Sequence, residues 1–161
     1  MPVSMRSAAR AKAKKYGAAC YVGVRQTAAG GYPGKCYVFY ADGEGEISPL
    51  DPRNDLWDHS PDGFEWGYGG SGPTQLALGV LAHHLDPNEG ERAIALRMAF
   101  KFSIVNRLPE AFVLPVEAVE VWFECVQAGG TGNHARLRAT WLQQLETRGI
   151  DPAMMLPSWR R

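Results

Sequence analysis

The chain has 161 residues, 45% of them hydrophobic and 21% charged, and its 17 basic and 17 acidic side chains cancel to a formal net charge of zero. That length suits one domain with a real core, the composition excludes wholesale disorder, and the balanced charge excludes a global field toward nucleic acid or a membrane surface. No apolar run reaches membrane-spanning length and no apolar signal segment opens the chain, so a cytoplasmic protein is expected, with no membrane contact.

Residues 1–15 are rich in Ala, Arg and Lys and contain no acid. Their small apolar surface predicts a mobile basic arm, with Arg6, Arg10, Lys12, Lys14 and Lys15 free to neutralise nucleic-acid phosphates. A solvated, frayed terminus is the alternative.

A β region follows. Ala19 to Arg25 alternates, placing Cys20, Val22 and Val24 on one face. A turn cluster spans Thr27 to Gly34, and Lys35 to Tyr40 is β-branched and aromatic, the strongest strand signal in the chain. After a second turn, Glu46 to Leu50 gives a short third strand. Tyr21, Tyr37 and Phe39 either form one aromatic sheet face that stacks bases or serve as core beneath a helix. Three cysteines, Cys20, Cys36 and Cys125, lack paired spacing and are expected as buried thiols; Cys20 and Cys36 could face each other across the hairpin.

Asp51 to Asp62 is an acidic loop with His59 inside it. Its residue types suit a divalent cation, but the spacing fits no EF-hand, and Asp and Asn equally serve local turns; no metal site and no cofactor are expected. Helices are predicted from Pro73 to Leu85 and, after Pro87, along Glu91 to Leu108 with Leu96, Phe100 and Ile104 as the core stripe. Arg92, Arg97 and Lys101 fall elsewhere as a basic, solvated face. Pro115 opens a helix with Val116, Val119, Trp122, Phe123 and Val126 inward. Asn133 caps a last helix through Arg148 with Leu137, Trp141 and Leu145 aligned, and the tail ends in Trp159-Arg160-Arg161.

The most unusual stretch is Asp58 to Leu78, where an aromatic-acid-aromatic run leads into glycines and a proline-led helix. Glycines permit positive φ and close approach to the backbone, Pro73 suits a first helical turn, and the free N–H groups there suit an anion. Gly67-x-Gly69-x-x-Gly72 matches the dinucleotide fingerprint only as a string, since no second parallel strand follows. Gly67-x4-Gly72-Pro73-Thr74 has proline where a Walker loop needs lysine, and Pro73 also breaks a nucleophile elbow around Ser71. Structural turn and ligand loop remain the two readings of this segment.

The run Ser60-Pro61-Asp62-Gly63-Phe64-Glu65-Trp66-Gly67-Tyr68-Gly69-Gly70-Ser71-Gly72-Pro73, continued by Gln75-Leu76-Ala77-Leu78, resembles the signature of domain-of-unknown-function family 6166. The resemblance spans Tyr16 to about Gln127. It implies a shared fold and a phage, plasmid or other mobile-element habitat, and it carries no catalytic residue list.

The expected fold is α+β: a small antiparallel β-meander of about three strands packed against three to four α-helices. Residues 16–127 form the domain, and 128–161 add a C-terminal helix and tail that packs on the core or pairs with a second copy as a homodimer. The expected function is that of a non-enzymatic binding or regulatory accessory protein. It would contact a host or phage protein, a nucleic acid or a small anionic ligand, inhibition of host defence being one such role. Its surface would be Glu65, Trp66, Tyr68, Gly69, Gly70, Ser71, Gly72 and Thr74. The alternative is a small hydrolase or transferase for a phosphorylated substrate, with Glu65 or His59 as base.

Overall fold

The computed structural model describes residues 3–27, 33–157 and 159, so most of the predicted turn after Thr27 and the Arg160-Arg161 tip lie outside the described residues. The elements run α1 (Val3–Tyr16), β1 (Cys20–Thr27), β2 (Pro33–Ala41), β3 (Ile47–Pro49), α2 (Ser71–His84), α3 (Gly90–Ser103), β4 (Phe112–Pro115), α4 (Val116–Gly129) and α5 (His134–Thr147). The fold is α+β, with four antiparallel strands rather than three, ordered β3-β2-β1-β4. The fourth was hidden because Phe112–Pro115 is four residues long and runs directly into a helix, so its apolar run reads as the helix start.

Strand alternation divides the core into two layers. Cys20, Val22, Val24, Phe39, Ala41 and Ile47 face α1, while Tyr21 and Val38 face the α2–α5 layer. Register explains why the three aromatic rings do not share a face: Tyr21 pairs with Tyr40, and Val22 with Phe39. Tyr21 therefore points away from Phe39 and Tyr37. The same register places Cys36 opposite Arg25 and Cys20 opposite Ala41, and all three cysteines are free thiols.

A docked helix stands where a loose basic arm was expected. Met5, Ala8, Ala9, Ala13 and Tyr16 recur at helical spacing and pack on the sheet, with Ala9 fully buried. Small alanines let the helix backbone approach closely, so a modest apolar stripe suffices. Arg6 joins it, donating from Nη1 to Ile47 O at 2.9 Å with its guanidinium over the Phe39 ring. Arg10, Lys12, Lys14 and Lys15 remain exposed.

On the other face, α3 ends at Ser103 and a 3-10 turn covers Val105–Arg107, earlier than the predicted Leu108. Lys101, expected on a solvated face, is only 4% exposed. Asn133 caps α5 as expected, accepting from Arg136 N. Leu137, Trp141 and Leu145 are buried in the main core, and the Trp141 indole donates to Ala118 O at 2.8 Å. The face that suggested a homodimer is thus covered by the chain itself.

Gly23 marks the tightest point of the sheet. A Cβ there would fall 2.1 Å from Phe112 Cε1, inside a ring that is itself buried on β4. Gly23→Ala is expected to destabilise the fold by about 2–3 kcal/mol, read from the urea midpoint at unchanged m-value. An unchanged midpoint would show that the Phe112 ring moves aside freely.

Candidate functional site

The glycine turn has a sealed half and an open half. Glu65 and Trp66 form the sealed one, and Gly67, itself exposed, joins it to the other. The Trp66 ring is 1% exposed, meets Phe112 edge-on with centroids 4.9 Å apart, and donates its indole N–H to Pro109 O at 2.8 Å. The Gly67 amide, at φ +87°, donates to Val105 O at 3.0 Å. Arg25 reaches in from β1, donating from Nη2 to Glu65 Oε1 at 2.5 Å and to Trp66 O at 2.9 Å, and from Nη1 to Glu110 Oε2 at 2.8 Å. Its guanidinium carbon lies 4.7 Å from the Trp66 ring centroid. Trp66 was expected on the binding surface and is core instead, because the chain reverses at Gly67 and folds the ring under Leu108–Phe112.

The open half is Tyr68 to Ser71. Tyr68 is 52% exposed, and Gly67, Gly69 and Ser71 are exposed with it. A Cβ on Gly70 would fall 2.5 Å from Tyr68 Cε2, so a side chain there would push the exposed ring aside. Gly70 caps α2 without any side-chain hydrogen bond. The helix thus begins at Ser71, earlier than Pro73, and the proline falls within the first turn where its missing N–H costs nothing. Gly72 is buried against Glu65, whose Cβ would lie 2.5 Å from an added Cβ. Thr74 is buried too, its hydroxyl donating back to Gly70 O at 3.0 Å. Of the expected surface residues, Tyr68, Gly69, Gly70 and Ser71 face outward or partly so, Glu65 lies in the Arg25 ion pair, and Trp66, Gly72 and Thr74 are interior.

The preceding loop uses its polar groups locally. Asp51 accepts from Arg53 N at 2.8 Å, Arg53 Nε donates to Asp55 at 3.0 Å, and Asn54 donates to Asp58 at 2.9 Å. Among the described residues no three His, Cys, Asp or Glu side chains come together as a metal site. Trp57, 49% exposed, stacks on His59 with centroids 5.2 Å apart, and the Arg97 guanidinium lies 4.5 Å from its ring centroid.

Arg97 Nε donates to His59 Nε2 at 3.0 Å. A guanidinium can only donate, so Nε2 supplies its lone pair and the ring is neutral with its proton on Nδ1. Burial and the charges of Arg97 and Lys101 hold the His59 pKa below its ordinary value, against a weaker opposing pull from Asp58. His59 and Glu65, the two candidate bases, are thereby engaged by two different guanidinium groups. The Cys36 thiol beside Glu65 is pushed up to about 11, first by burial and then by that carboxylate, so it is not a thiolate at neutral pH.

Sequence reasoning missed the residue that ties loop to helix. Gln75 is fully buried; its Oε1 accepts from His59 N at 2.7 Å and Ser60 N at 3.2 Å, and its Nε2 donates to Pro52 O at 2.5 Å and Trp57 O at 3.1 Å. The available signal was a lone amide entering an apolar helix run. It missed as well Arg25, Arg97 and Lys101, which come to this region from β1 and α3.

Among the described residues no helix is long and apolar enough to cross a membrane. No curated protein and no solved structure matches the chain. The signature turn, the helix it caps and all but the first residue of the sheet that seals Trp66 fall within residues 21–125, which match the model described as Family of unknown function (DUF6166), and the chain belongs to that family.

Proposed function

We propose that this chain is a non-enzymatic binding or regulatory accessory protein of a phage or other mobile element, acting in the host cytoplasm by contact with a host protein, a nucleic acid or a small anionic ligand. The observation that carries the reading is that two large aromatics, Trp57 and Tyr68, stand exposed outside the core among the described residues, on the two segments that flank the start of α2. Exposed Trp and Tyr are the side chains that most often anchor an interface. Interference with a host defence is one regulatory role this surface would serve, and the exposed cations of α1 add a second, electrostatic contact for nucleic acid.

The hydrogen bonding of the acid–base candidates supports binding over hydrolysis or transfer. Glu65 spends one carboxylate oxygen on Arg25 and Trp66 N, and the basic nitrogen of His59, the one lone pair of a neutral imidazole, is committed to Arg97. A general base needs a free lone pair within reach of the proton it takes.

The test is a Trp57→Ala/Tyr68→Ala double variant in a pull-down from host lysate, with and without nuclease. Its stability is expected to stay within about 1 kcal/mol of the parent, as for surface substitutions. Retention of a specific partner is expected to fall about tenfold or more, as when interface anchors are truncated. A partner retained equally by the double variant would place the working surface elsewhere.

A further inference from the structure

Beside the face it buries, α5 presents a second one to a cavity. Ala135, Arg138, Ala139 and Leu142 follow at i, i+3, i+4 and i+7 and line a space of about 400 Å³. Arg107 joins them from the 3-10 turn after α3, and Leu156 and Trp159 from the tail. Main-chain bonds hold the tail in place, Leu156 N donating to Pro152 O at 2.8 Å and Trp159 N to Leu156 O at 3.0 Å.

The polar side chains of this lining are two guanidinium groups. Arg138 donates from Nε to Ser103 O at 3.0 Å and from Nη2 to Phe102 O at 2.8 Å, partners that fix the group but carry no charge. Arg107 is exposed. Among the described residues neither arginine forms an ion pair; the pairs found there are made by Arg25, Arg53, Arg92 and Arg148. Burial and then the charge of Arg107 hold the Arg138 pKa below its ordinary value, as expected of neighbouring cations with no acid between them. The remaining walls are apolar: Leu142 and Leu156 are buried and Trp159 is half-buried. Apolar walls with a few placed charged groups, at this volume, are the usual make-up of a small-molecule site.

We infer that this cavity binds a small aromatic anion, its acid group held by Arg107 and Arg138 and its ring set against Leu142, Leu156 and Trp159. Guanidinium forks match the paired oxygens of a carboxylate or a phosphate. A long polyanion would need cations spread along a surface, whereas these two line one cavity. The site goes beyond the binding reading above, since none of its lining residues belongs to the Trp57 loop or the glycine segment.

The experiment titrates phenyl phosphate, phenylacetate, inorganic phosphate and neutral benzyl alcohol against the full chain, at one ionic strength set with sodium chloride. Calorimetry and melting temperature are the readouts. At least one of the two aromatic anions is expected to bind and raise the melting temperature, and the stronger of them tells a phosphate ester from a carboxylate. Inorganic phosphate and benzyl alcohol, each lacking half of the recognised chemistry, are expected to bind at least about tenfold more weakly. Arg107→Glu, at an exposed position, is expected to keep the ligand-free melting temperature and weaken the aromatic anion at least about tenfold. Trp159→Ala is expected to weaken it several-fold without any change of charge, which keeps the test open should the glutamate variant fold poorly. Lys14→Glu, the same charge change at an exposed position of α1, is expected to leave binding within about twofold.

No binding of either aromatic anion overturns the site, as does binding unchanged in both Arg107→Glu and Trp159→Ala. Inorganic phosphate held as tightly as phenyl phosphate, or a loss in Lys14→Glu equal to that in Arg107→Glu, also overturns it, because general attraction of anions to surface cations would then suffice.

Discussion

Gln75→Leu is expected to destabilise the fold by about 3–5 kcal/mol, more than its size change alone would cost. Leucine fills nearly the same volume, so packing is not the main loss. The amide it replaces satisfies two backbone N–H groups and two backbone carbonyls of the 52–60 loop. Each buried polar group left without a partner costs about 1–3 kcal/mol, and water reaching the partly exposed loop recovers some of that. The urea midpoint should fall at an m-value close to the parent's. Amide exchange at His59 and Ser60 should accelerate, because their protection comes from this one side chain. A change below about 1 kcal/mol would mean that the loop rehydrates at little cost and holds its path without the helix. In that event the position of His59 beside Arg97 would lose its structural explanation.

Much of this architecture was legible in residue pattern. Period-two alternation put Cys20, Val22 and Val24 on one face of a strand, and the i, i+3, i+4 spacing of the helices found Phe100, Trp122 and Trp141, all buried. What stayed hidden depends on pairing between distant segments. β4 carries too few residues to show a period, and its identity comes from lying against β1, where Leu114 faces Tyr21. The α1 helix docks through alanines, which carry almost no hydropathic signal although they allow close approach. Lys101 reads as a polar position on a helix wheel, yet the residue is 4% exposed with its ammonium over the Phe102 ring.

The site divides along the same line. Composition correctly marked the glycine segment as a place where backbone path matters, and Tyr68 as an exposed ring. It could not tell which side of the bend faces inward, because that depends on Arg25 and Phe112 arriving from β1 and β4. The candidate bases were identifiable as residue types. Their neutralisation by Arg25 and Arg97 was not, since those partners lie 40 and 38 positions away in the chain.

Trp66 and Tyr68, two residues apart in the glycine segment, should therefore answer alanine substitution in opposite ways. Trp66→Ala removes a buried indole that meets Phe112 edge-on, carries the Arg25 guanidinium on its face and satisfies Pro109 O. Large-to-small changes at such aromatic positions cost about 3–5 kcal/mol, from lost transfer energy and the cavity left behind. For a domain of this size that corresponds to a fall in melting temperature of about 10 °C or more. Against a total stability of about 5–15 kcal/mol, the variant should expose a substantial unfolded fraction on mild heating. Trp66→Phe separates the two contributions: it keeps most of the apolar contact with Phe112 and strands only the Pro109 carbonyl, at about 1–2 kcal/mol. Tyr68→Ala should stay within about 1 kcal/mol, because its ring is half solvated and lies against Gly70. Thermal and urea unfolding of the three variants reads the contrast directly. Equal, small losses at both positions would mean that the Trp66 ring is as accessible as that of Tyr68, and the division of the turn into sealed and open halves would fail. Equal, large losses would make Tyr68 part of the core and remove one of the two aromatics on which the proposed binding surface stands.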